Sequence, residues 1–276
     1  MKPTDSLLLA LAVGMLTTAA LAGGDTLPAP TRELDLSRNG RLFDQFFQRF
    51  GYRDGQSVVP EARGVRLQIP AAKDAGIAGY QSSFSLVGDF EVAVDFEVVA
   101  MPRPTGGYGV SMGVTLDAGA PVGSISLVRG LASDGRPQFT IVRGTPVITD
   151  GAESTKYETD AFPASQPRGR IILRREGAEV ACLATDGMGG QPTEFKRVPY
   201  TDHRVRYVKL HADTGGSPTG VTGRFTGVTV RAQELVGGMT RQELDDEWTF
   251  WWWWIPVFVG CLTAAWVIRR RAKVDV

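Results

Sequence analysis

Residues 88–99, GDFEVAVDFEVV, alternate apolar and polar side chains except at Ala93 and Val99. Successive side chains of a β-strand point to opposite faces of its sheet, so this alternation is typical of a strand with one buried face. The predicted buried face carries five apolar side chains: Phe90, Val92, Val94, Phe96 and Val98. We therefore predict that this segment is a central strand of an all-β fold.

The rest of residues 33–232 repeats this pattern between glycine- and aspartate-rich turns. Residues 106–117, GGYGVSMGVTLD, form the next predicted strand, with an inner face of Tyr108, Val110, Met112, Val114 and Leu116. Residues 168–187 predict a hairpin around Glu176 and Gly177. A short helix is expected only within residues 41–51, RLFDQFFQRFG, and near the membrane. Short, regularly spaced strands indicate a two-layer sandwich or a barrel.

The N-terminus predicts export. Lys2 precedes an apolar run over residues 7–16, and Ala20-Leu21-Ala22 supplies an A-x-A cleavage signal before Gly23. We expect a signal peptide over residues 1–22, cut between Ala22 and Gly23, and a Pro/Gly linker over residues 23–32. The alternative is an uncleaved N-terminal anchor.

The C-terminus predicts a single membrane crossing. Residues 250–268 contain no charge, and 19 residues of helix, at about 1.5 Å each, nearly span the ~30 Å of bilayer hydrocarbon. Indole rings favour the headgroup level, and cationic residues favour the cytoplasmic side. The predicted interface residues are Trp248, Trp251, Trp252, Trp253, Trp254, Arg269, Arg270 and Arg271.

From these ends we expect the chain to lie in the plasma membrane, with residues 23–247 outside and the tail, residues 269–276, in the cytoplasm. Residues 233–249 form the expected juxtamembrane segment. An apolar span followed by an arginine cluster is also the form of bacterial C-terminal sorting signals that are later removed. Residues 239–248, MTRQELDDEW, hold no Pro-Glu-Pro recognition box, so permanent anchoring is the favoured interpretation.

Composition excludes some function classes. The chain has 30 basic and 30 acidic residues; setting aside five basic and two acidic residues at the two ends leaves a net charge of about −3. Without a basic stripe, nucleic acid is an unexpected partner. Cys182 alternates with Val180 and Ala184 and is predicted to be a core thiol, whereas Cys261 lies in the predicted span, so the two cannot pair.

The final predicted strands carry a resemblance. RGRIILRREGAEVACLATDG (residues 168–187), VRYVKLHADTGG (205–216) and GRFTGVTVR (223–231) resemble the last strands of concanavalin A-like jelly-roll sandwiches of lectins and glucanases. With residues 65–70, 88–99 and 104–113, they are also similar to an uncharacterised domain-of-unknown-function family of planctomycete-type membrane-anchored proteins. The resemblance covers residues 33–232 and implies a fold, not an activity.

One motif resembles a catalytic strand. AVDFE, residues 93–97, is similar to the E-x-D-x-E strand of laminarinase- and lichenase-type glycoside hydrolases. Asp95 and Glu97 match the family's second and third carboxylates, but Ala93 stands where the nucleophile belongs. Retaining hydrolysis needs two carboxylates about 5–5.5 Å apart. We therefore expect no catalytic residue here.

The second strand carries a bare strip. GVSMG matches G-x-S-x-G, but Ser111 lies in mid-strand, where a nucleophile elbow would need a sharp turn. The outward side of this strand is instead almost without side chains, because it carries Gly107, Gly109, Ser111 and Gly113. Glycines within a strand often mark a place where a ligand approaches the backbone closely. If this strand pairs with its predecessor, the strip borders Glu91, Asp95 and Glu97. The predicted result is a shallow acidic groove for an extended glycan; the alternative is that a loop covers it.

Two observations bear on ligands. Glycan platforms usually stack a sugar on an aromatic ring, and the body has no Trp, so tyrosines would serve; Tyr108 is expected to point inward. No cofactor is expected.

Calcium is possible, although no D-x-D-x-D-G run is present. The candidate ligands are aspartates in or near turns: Asp117, Asp134, Asp150, Asp186 and Asp213.

The sequence thus predicts a membrane-tethered exoplasmic β-sandwich that recognises a glycan or an envelope protein without catalysis. The alternatives are a glycoside hydrolase-like enzyme with an unrecognised site and a purely structural envelope protein.

Overall fold

A computed structural model describes residues 32–36, 43–73, 76–149 and 152–237. Within them the chain forms fifteen strands and two one-turn helices. The elements are β1 (Arg32–Asp35), α1 (Phe43–Phe46), β2 (Phe47–Gly51), α2 (Asp54–Ser57), β3 (Val58–Pro60), β4 (Val65–Ile69), β5 (Ile77–Ser82), β6 (Ser85–Ala100), β7 (Gly109–Gly119), β8 (Gly123–Ala132), β9 (Pro137–Thr149), β10 (Ala152–Pro163), β11 (Arg168–Glu176), β12 (Glu179–Asp186), β13 (Thr193–Pro199), β14 (Tyr207–Asp213) and β15 (Val221–Val236).

The strands form two antiparallel sheets. The eight-stranded sheet has the order β13-β12-β11-β6-β15-β4-β3, with β1 also paired to β15. The seven-stranded sheet has the order β10-β9-β8-β7-β14-β5-β2. The predicted all-β sandwich is confirmed, and so is the hairpin of β11 and β12, where Glu176 lies opposite Glu179.

The hydrophobic core lies between the sheets. Phe90, Val92, Val94 and Phe96 of β6 are fully buried, as the alternation predicts. The ring of Phe96 meets that of Phe139 from the opposite sheet edge to face, with centroids 6.0 Å apart. Burying side chains of this size contributes about 1.5–3 kcal/mol each to stability, so the inward faces hold the two layers together.

The predicted helix within residues 41–51 is only partly present. Residues 43–46 form the one-turn helix α1, and the next five residues form β2. Phe47 lies opposite Ser82 of β5, so pairing with a neighbouring strand overrides local helix propensity. Phe47 also packs its ring 5.5 Å from that of Phe84. The short helix expected in this segment is therefore limited to a single turn.

The predicted signal peptide, the membrane span and the cytoplasmic tail lie outside the described residues, as do Ala22, Gly23 and the interface residues. Among the residues that the structure describes, no helix is long and apolar enough to cross a bilayer. Strand β1 begins at Arg32, and β15 continues through Val236 into the segment expected to lead to the membrane.

Candidate functional site

The structure separates the residues of the predicted acidic groove. Strand β6, with Glu91, Asp95 and Glu97, pairs with β11 and β15 in the eight-stranded sheet. Strand β7, with Ser111 and Gly113, pairs with β8 and β14 in the seven-stranded sheet. The pairing that we assumed was wrong, because the chain crosses from one sheet to the other between these consecutive strands. The carboxylates and the glycine strip therefore lie on opposite outer faces of the sandwich.

The three carboxylates of β6 form a ladder of ion pairs. Glu91 lies 2.7 Å from the Nη2 of Arg174, and Asp95 accepts two hydrogen bonds from Arg170, at 2.6 and 3.0 Å. Arg168 donates two hydrogen bonds to Oε1 of Glu97, at 2.6 and 3.1 Å. On the other side, β15 adds longer contacts from Arg224 and Arg231. Cross-strand pairs of this kind stabilise a sheet, each by up to about 1 kcal/mol.

The position of the missing nucleophile is apolar. Ala93 packs against a small cluster of Ile172, Ala181 and Leu183 on this outer face. Two shallow depressions lie nearby: one of 190 Å³ contains the Asp95–Arg170 pair, and one of 420 Å³ contains Glu97 and Arg168. Since arginine already engages each carboxylate, this face is better suited to holding the sheet together than to binding or cleaving a sugar.

The other outer face carries a different set of groups. On β7 the outward residues are Ser111, Gly113, Thr115 and Asp117, and their partners on β14 are Asp213, His211, Lys209 and Tyr207. Strand β8 adds Ser124 and Ser126 beside them. We call these ten residues the polar face. The inward neighbours Val114 and Leu210 are fully buried, so the alternation of both strands positions the polar face toward the outside.

A hydrogen-bonded chain crosses the centre of the polar face. The Nε2 of His211 lies 2.8 Å from the hydroxyl of Thr115, which lies 2.7 Å from the hydroxyl of Ser126. His211 lies between two glycines, Gly79 and Gly113, on the adjacent strands. At both glycines a Cβ would approach backbone carbonyl oxygens, at 2.0 and 2.3 Å, which explains why these positions carry no side chain.

The imidazole of His211 is held neutral. Only 6% of the residue is exposed, and burial lowers the pKa to about 4; Asp213 opposes this shift and Lys209 adds to it. Its Nδ1 is buried and has no hydrogen-bond partner within the described residues. An unpaired buried polar nitrogen is destabilising by about 1–3 kcal/mol. Such an atom is often completed by a water molecule or a ligand hydroxyl.

An ion pair within the polar face joins two of its own residues. The ammonium of Lys209 lies 2.6 Å from Asp117, whose other oxygen accepts the N–H of Gly119 at 2.9 Å. Asp213 uses Oδ1 to accept the N–H of Gly215 at 2.8 Å. The polar face thus combines hydroxyls, a buried neutral imidazole and one carboxylate without a cation among the described residues, a set suited to hydroxyl-rich ligands.

Gly107, Gly109 and Tyr108 lie at one end of the polar face, where β7 begins. Tyr108 was expected to point inward, but it is 95% exposed. The expectation was wrong because β7 starts at Gly109, whose φ of +116° breaks the alternation between Tyr108 and Val110. Val110, Met112, Val114 and Leu116 are buried as predicted.

Other candidates have structural roles. Ser111 lies within β7 in mid-strand, as predicted, and Cys182 is buried in the core, which raises the pKa of its thiol to about 12. Asp134 binds Arg136, and Asp186 accepts from Ser165 and Gln166. No cluster of three or more potential metal ligands occurs among the described residues, and Asp150 lies outside them.

Sequence reasoning missed the contribution of β14. Residues 207–213, YVKLHAD, alternate so that Tyr207, Lys209, His211 and Asp213 share one face. This alternation could have predicted the shared face from the sequence. The pairing of β14 with β7, almost a hundred residues earlier, could not be predicted, because it depends on the path of the chain between the sheets.

Several solved structures align with this chain. A legume lectin-like domain from Entamoeba histolytica aligns with a TM-score of 0.50 and 11% identity, over 70% of this chain and 92% of that one. A functionally unknown protein from Saccharomyces cerevisiae (TM-score 0.46, 13% identity, 71% and 98% covered) and an alginate lyase from Klebsiella pneumoniae (0.45, 12%, 68% and 86%) align less closely.

The lectin-like alignment confirms the expected concanavalin A-like sandwich, and its low identity limits it to the fold. No curated protein sequence matches the chain significantly. The family model described as the C domain of DUF1583, proteins of unknown function, matches residues 27–248, so this chain belongs to the DUF1583 family.

Proposed function

We propose that this protein is a non-enzymatic carbohydrate-binding sandwich, displayed outside the plasma membrane and tethered by its C-terminal segment. The observation that carries the proposal is the polar face, where hydroxyls, a neutral imidazole and a carboxylate line adjacent central strands. Glycans present many hydroxyl groups that both donate and accept hydrogen bonds. A surface with several fixed donors and acceptors and little net charge is complementary to them.

The glycines of this surface support the same proposal. A Cβ added at Gly113 would lie nearest to the carbonyl of Leu127 and the backbone of Val128. No side chain therefore projects outward from β7 between Ser111 and Thr115. A flat, extended ligand can approach a strand closely where no side chain projects.

A non-enzymatic role is favoured by the state of the carboxylates. On β6, Glu91, Asp95 and Glu97 are each bound by at least one arginine, and Ala93 occupies the nucleophile position. On the polar face Asp117 is paired with Lys209 and lies six residues along β7 from Ser111, the partner of Asp213, a distance of about 20 Å. That separation is far larger than either glycosidase mechanism uses.

The placement outside the membrane rests on the sequence of both ends. The A-x-A signal before Gly23 predicts export, and the tryptophan belt and arginine cluster around residues 250–268 predict one crossing. Tethered domains of this kind meet the glycans of the cell's own envelope or of its surroundings.

The test is binding of the full-length protein, in detergent micelles, to an immobilised glycan array. Two variants replace a carboxylate by its isosteric amide on opposite faces: Asp213→Asn on the polar face and Asp95→Asn in the ion-pair ladder. We expect wild-type binding to defined glycans, weakened by Asp213→Asn and retained by Asp95→Asn. Absence of any glycan signal above blank spots, or equal loss in both variants, contradicts the proposal.

A further inference from the structure

Two glycine-rich loops interlock at the end of the polar face. The loop before β7, residues 101–108, meets the loop after β14, residues 214–220. Tyr108 donates its N–H to the carbonyl of Gly215 at 2.9 Å, and Thr105 donates to the hydroxyl of Thr219 at 3.3 Å. Thr214 and Ser217 are buried within this junction.

The interlock depends on close backbone approach. A Cβ at Gly107 would lie 2.3 Å from the carbonyl oxygen of Gly215, and a Cβ at Gly215 would lie 2.2 Å from that of Gly109. All three glycines have positive φ, at +70°, +55° and +116°. Only glycine meets both conditions, so the backbone on either side of Tyr108 is fixed.

This fixed backbone presents a fully solvated ring. Tyr108 is 95% exposed, although its main chain is hydrogen-bonded and closely packed. A tyrosine held in this way offers a broad apolar surface at a small loss of conformational entropy on binding. Nothing in the packing of the sandwich requires an aromatic residue here.

Asp213 is linked to the main chain of Tyr108 through Gly215. It precedes Gly215, the hydrogen-bond partner of Tyr108, by two residues and is paired in register with Ser111. Its Oδ1 is held by the N–H of Gly215, while Oδ2 makes no hydrogen bond to the described residues. A carboxylate oriented by the backbone can accept hydrogen bonds from two neighbouring hydroxyls.

His211 provides an independent sign of a ligand. It lies two residues before Asp213 on the same face, and its buried Nδ1 has no partner within the described residues. In order from the Tyr108 end, β14 thus carries the carboxylate of Asp213 and then the uncharged imidazole of His211. Lys209, two residues before His211 on the same face, is paired with Asp117.

From these observations, and resting on the carbohydrate-binding function proposed above, we infer that Tyr108 and Asp213 form a subsite for a neutral sugar residue. The apolar C–H face of the sugar stacks on the Tyr108 ring, and its hydroxyls donate to Asp213. The unpaired carboxylate repels uronates, sulfated sugars and phosphates, so the ligand is an uncharged glycan. Its chain extends from Tyr108 along the polar face toward His211.

The experiment compares tyrosines by titration calorimetry on the full-length protein in detergent micelles. The probes are laminarihexaose, cellohexaose, xylohexaose and mannohexaose, with an alginate hexamer as the charged comparison. Tyr108→Ala removes the platform, Tyr108→Phe keeps the ring, and Tyr157→Ala removes a matched tyrosine, 66% exposed on β10. We expect roughly a five- to thirtyfold weaker Kd for Tyr108→Ala with a neutral hexamer. Tyr108→Phe and Tyr157→Ala should remain within about twofold of wild type.

The outcomes separate the two proposals. If Asp213→Asn weakens binding but Tyr108→Ala does not, the stacking subsite is refuted while carbohydrate binding stands. Tighter binding of the alginate hexamer than of every neutral hexamer refutes the preference for uncharged sugars. If the wild-type protein binds none of these probes and no glycan on the array, the carbohydrate-binding function fails and the subsite fails with it.

Discussion

Replacing His211 by glutamine should remove much of the loss of stability that this protein undergoes on mild acidification. The folded chain holds the imidazole neutral, because burial lowers its pKa from 6.5 to about 4. The unfolded chain exposes the same group to water. As the pH falls, the unfolded chain therefore binds a proton at His211 well before the folded chain does.

The size of the effect follows from that difference. Where the unfolded state binds more protons than the folded state, the free energy of unfolding decreases as the pH decreases. For His211 this loss starts near pH 6.5 and is complete below about pH 4. At 1.36 kcal/mol per pH unit, the full loss is about 3 kcal/mol, of which about 2 kcal/mol falls between pH 7 and pH 5. That narrower window lies above the range in which most carboxylates titrate.

The assay is urea unfolding of the full-length protein, followed by far-ultraviolet circular dichroism at pH 7, 6 and 5. The wild-type free energy of unfolding should fall by about 2 kcal/mol more than that of His211→Gln across this range. His203→Gln is the control, because the side chain of His203 is 83% exposed, and it should follow the wild type. Equal pH slopes for wild type and His211→Gln would refute the assignment of a buried, neutral imidazole.

Three further outcomes test other parts of the structure. Gly107→Ala should lower the midpoint of thermal unfolding by several degrees more than Gly189→Ala. Both positions have positive φ, but only a Cβ at Gly107 would strike a backbone atom. Equal shifts of the midpoint in differential scanning calorimetry would contradict the interlock. Arg175→Met should lower the free energy of unfolding in urea by about 3 kcal/mol, because the fully buried guanidinium donates to backbone carbonyls of three residues. A decrease below about 1 kcal/mol would show that those carbonyls find other partners. In a Cys261→Ser background, Cys182 should react with a maleimide only after unfolding, because burial raises the pKa of its thiol to about 12. Rapid labelling of the folded protein would refute the place of Cys182 in the core.

The sequence was a good guide to strands whose two faces differ in polarity. In β6 each apolar side chain from Phe90 to Phe96 on the predicted inner face is buried, as the alternation requires. Strand β10 gave no such signal, because it lies at the edge of its sheet and nearly every residue is exposed. The register of an edge strand is set by its partner, here β9, and not by its own pattern.

The candidate site could be predicted only in part. Ser111 and Gly113 were singled out by their lack of bulk, and they lie on the polar face. The carboxylates assigned to the same groove lie on the opposite face, because local sequence does not specify whether consecutive strands pair or change sheet. Tyr108 was predicted to point inward because the alternation of β7 was extended beyond Gly109, the residue at which the strand begins.

By itself, the sequence determined the fold class and the inward residues of the long strands, while the membrane topology of the two ends stays a prediction. These depend on local quantities: the period of apolar residues, the length of an uncharged run and the charges beside it. Only the tertiary structure decided which faces meet and which groups become neighbours. Strand pairing joins residues about a hundred positions apart, so the burial that keeps His211 neutral and the glycine contacts that fix Tyr108 exist only once both sheets have formed.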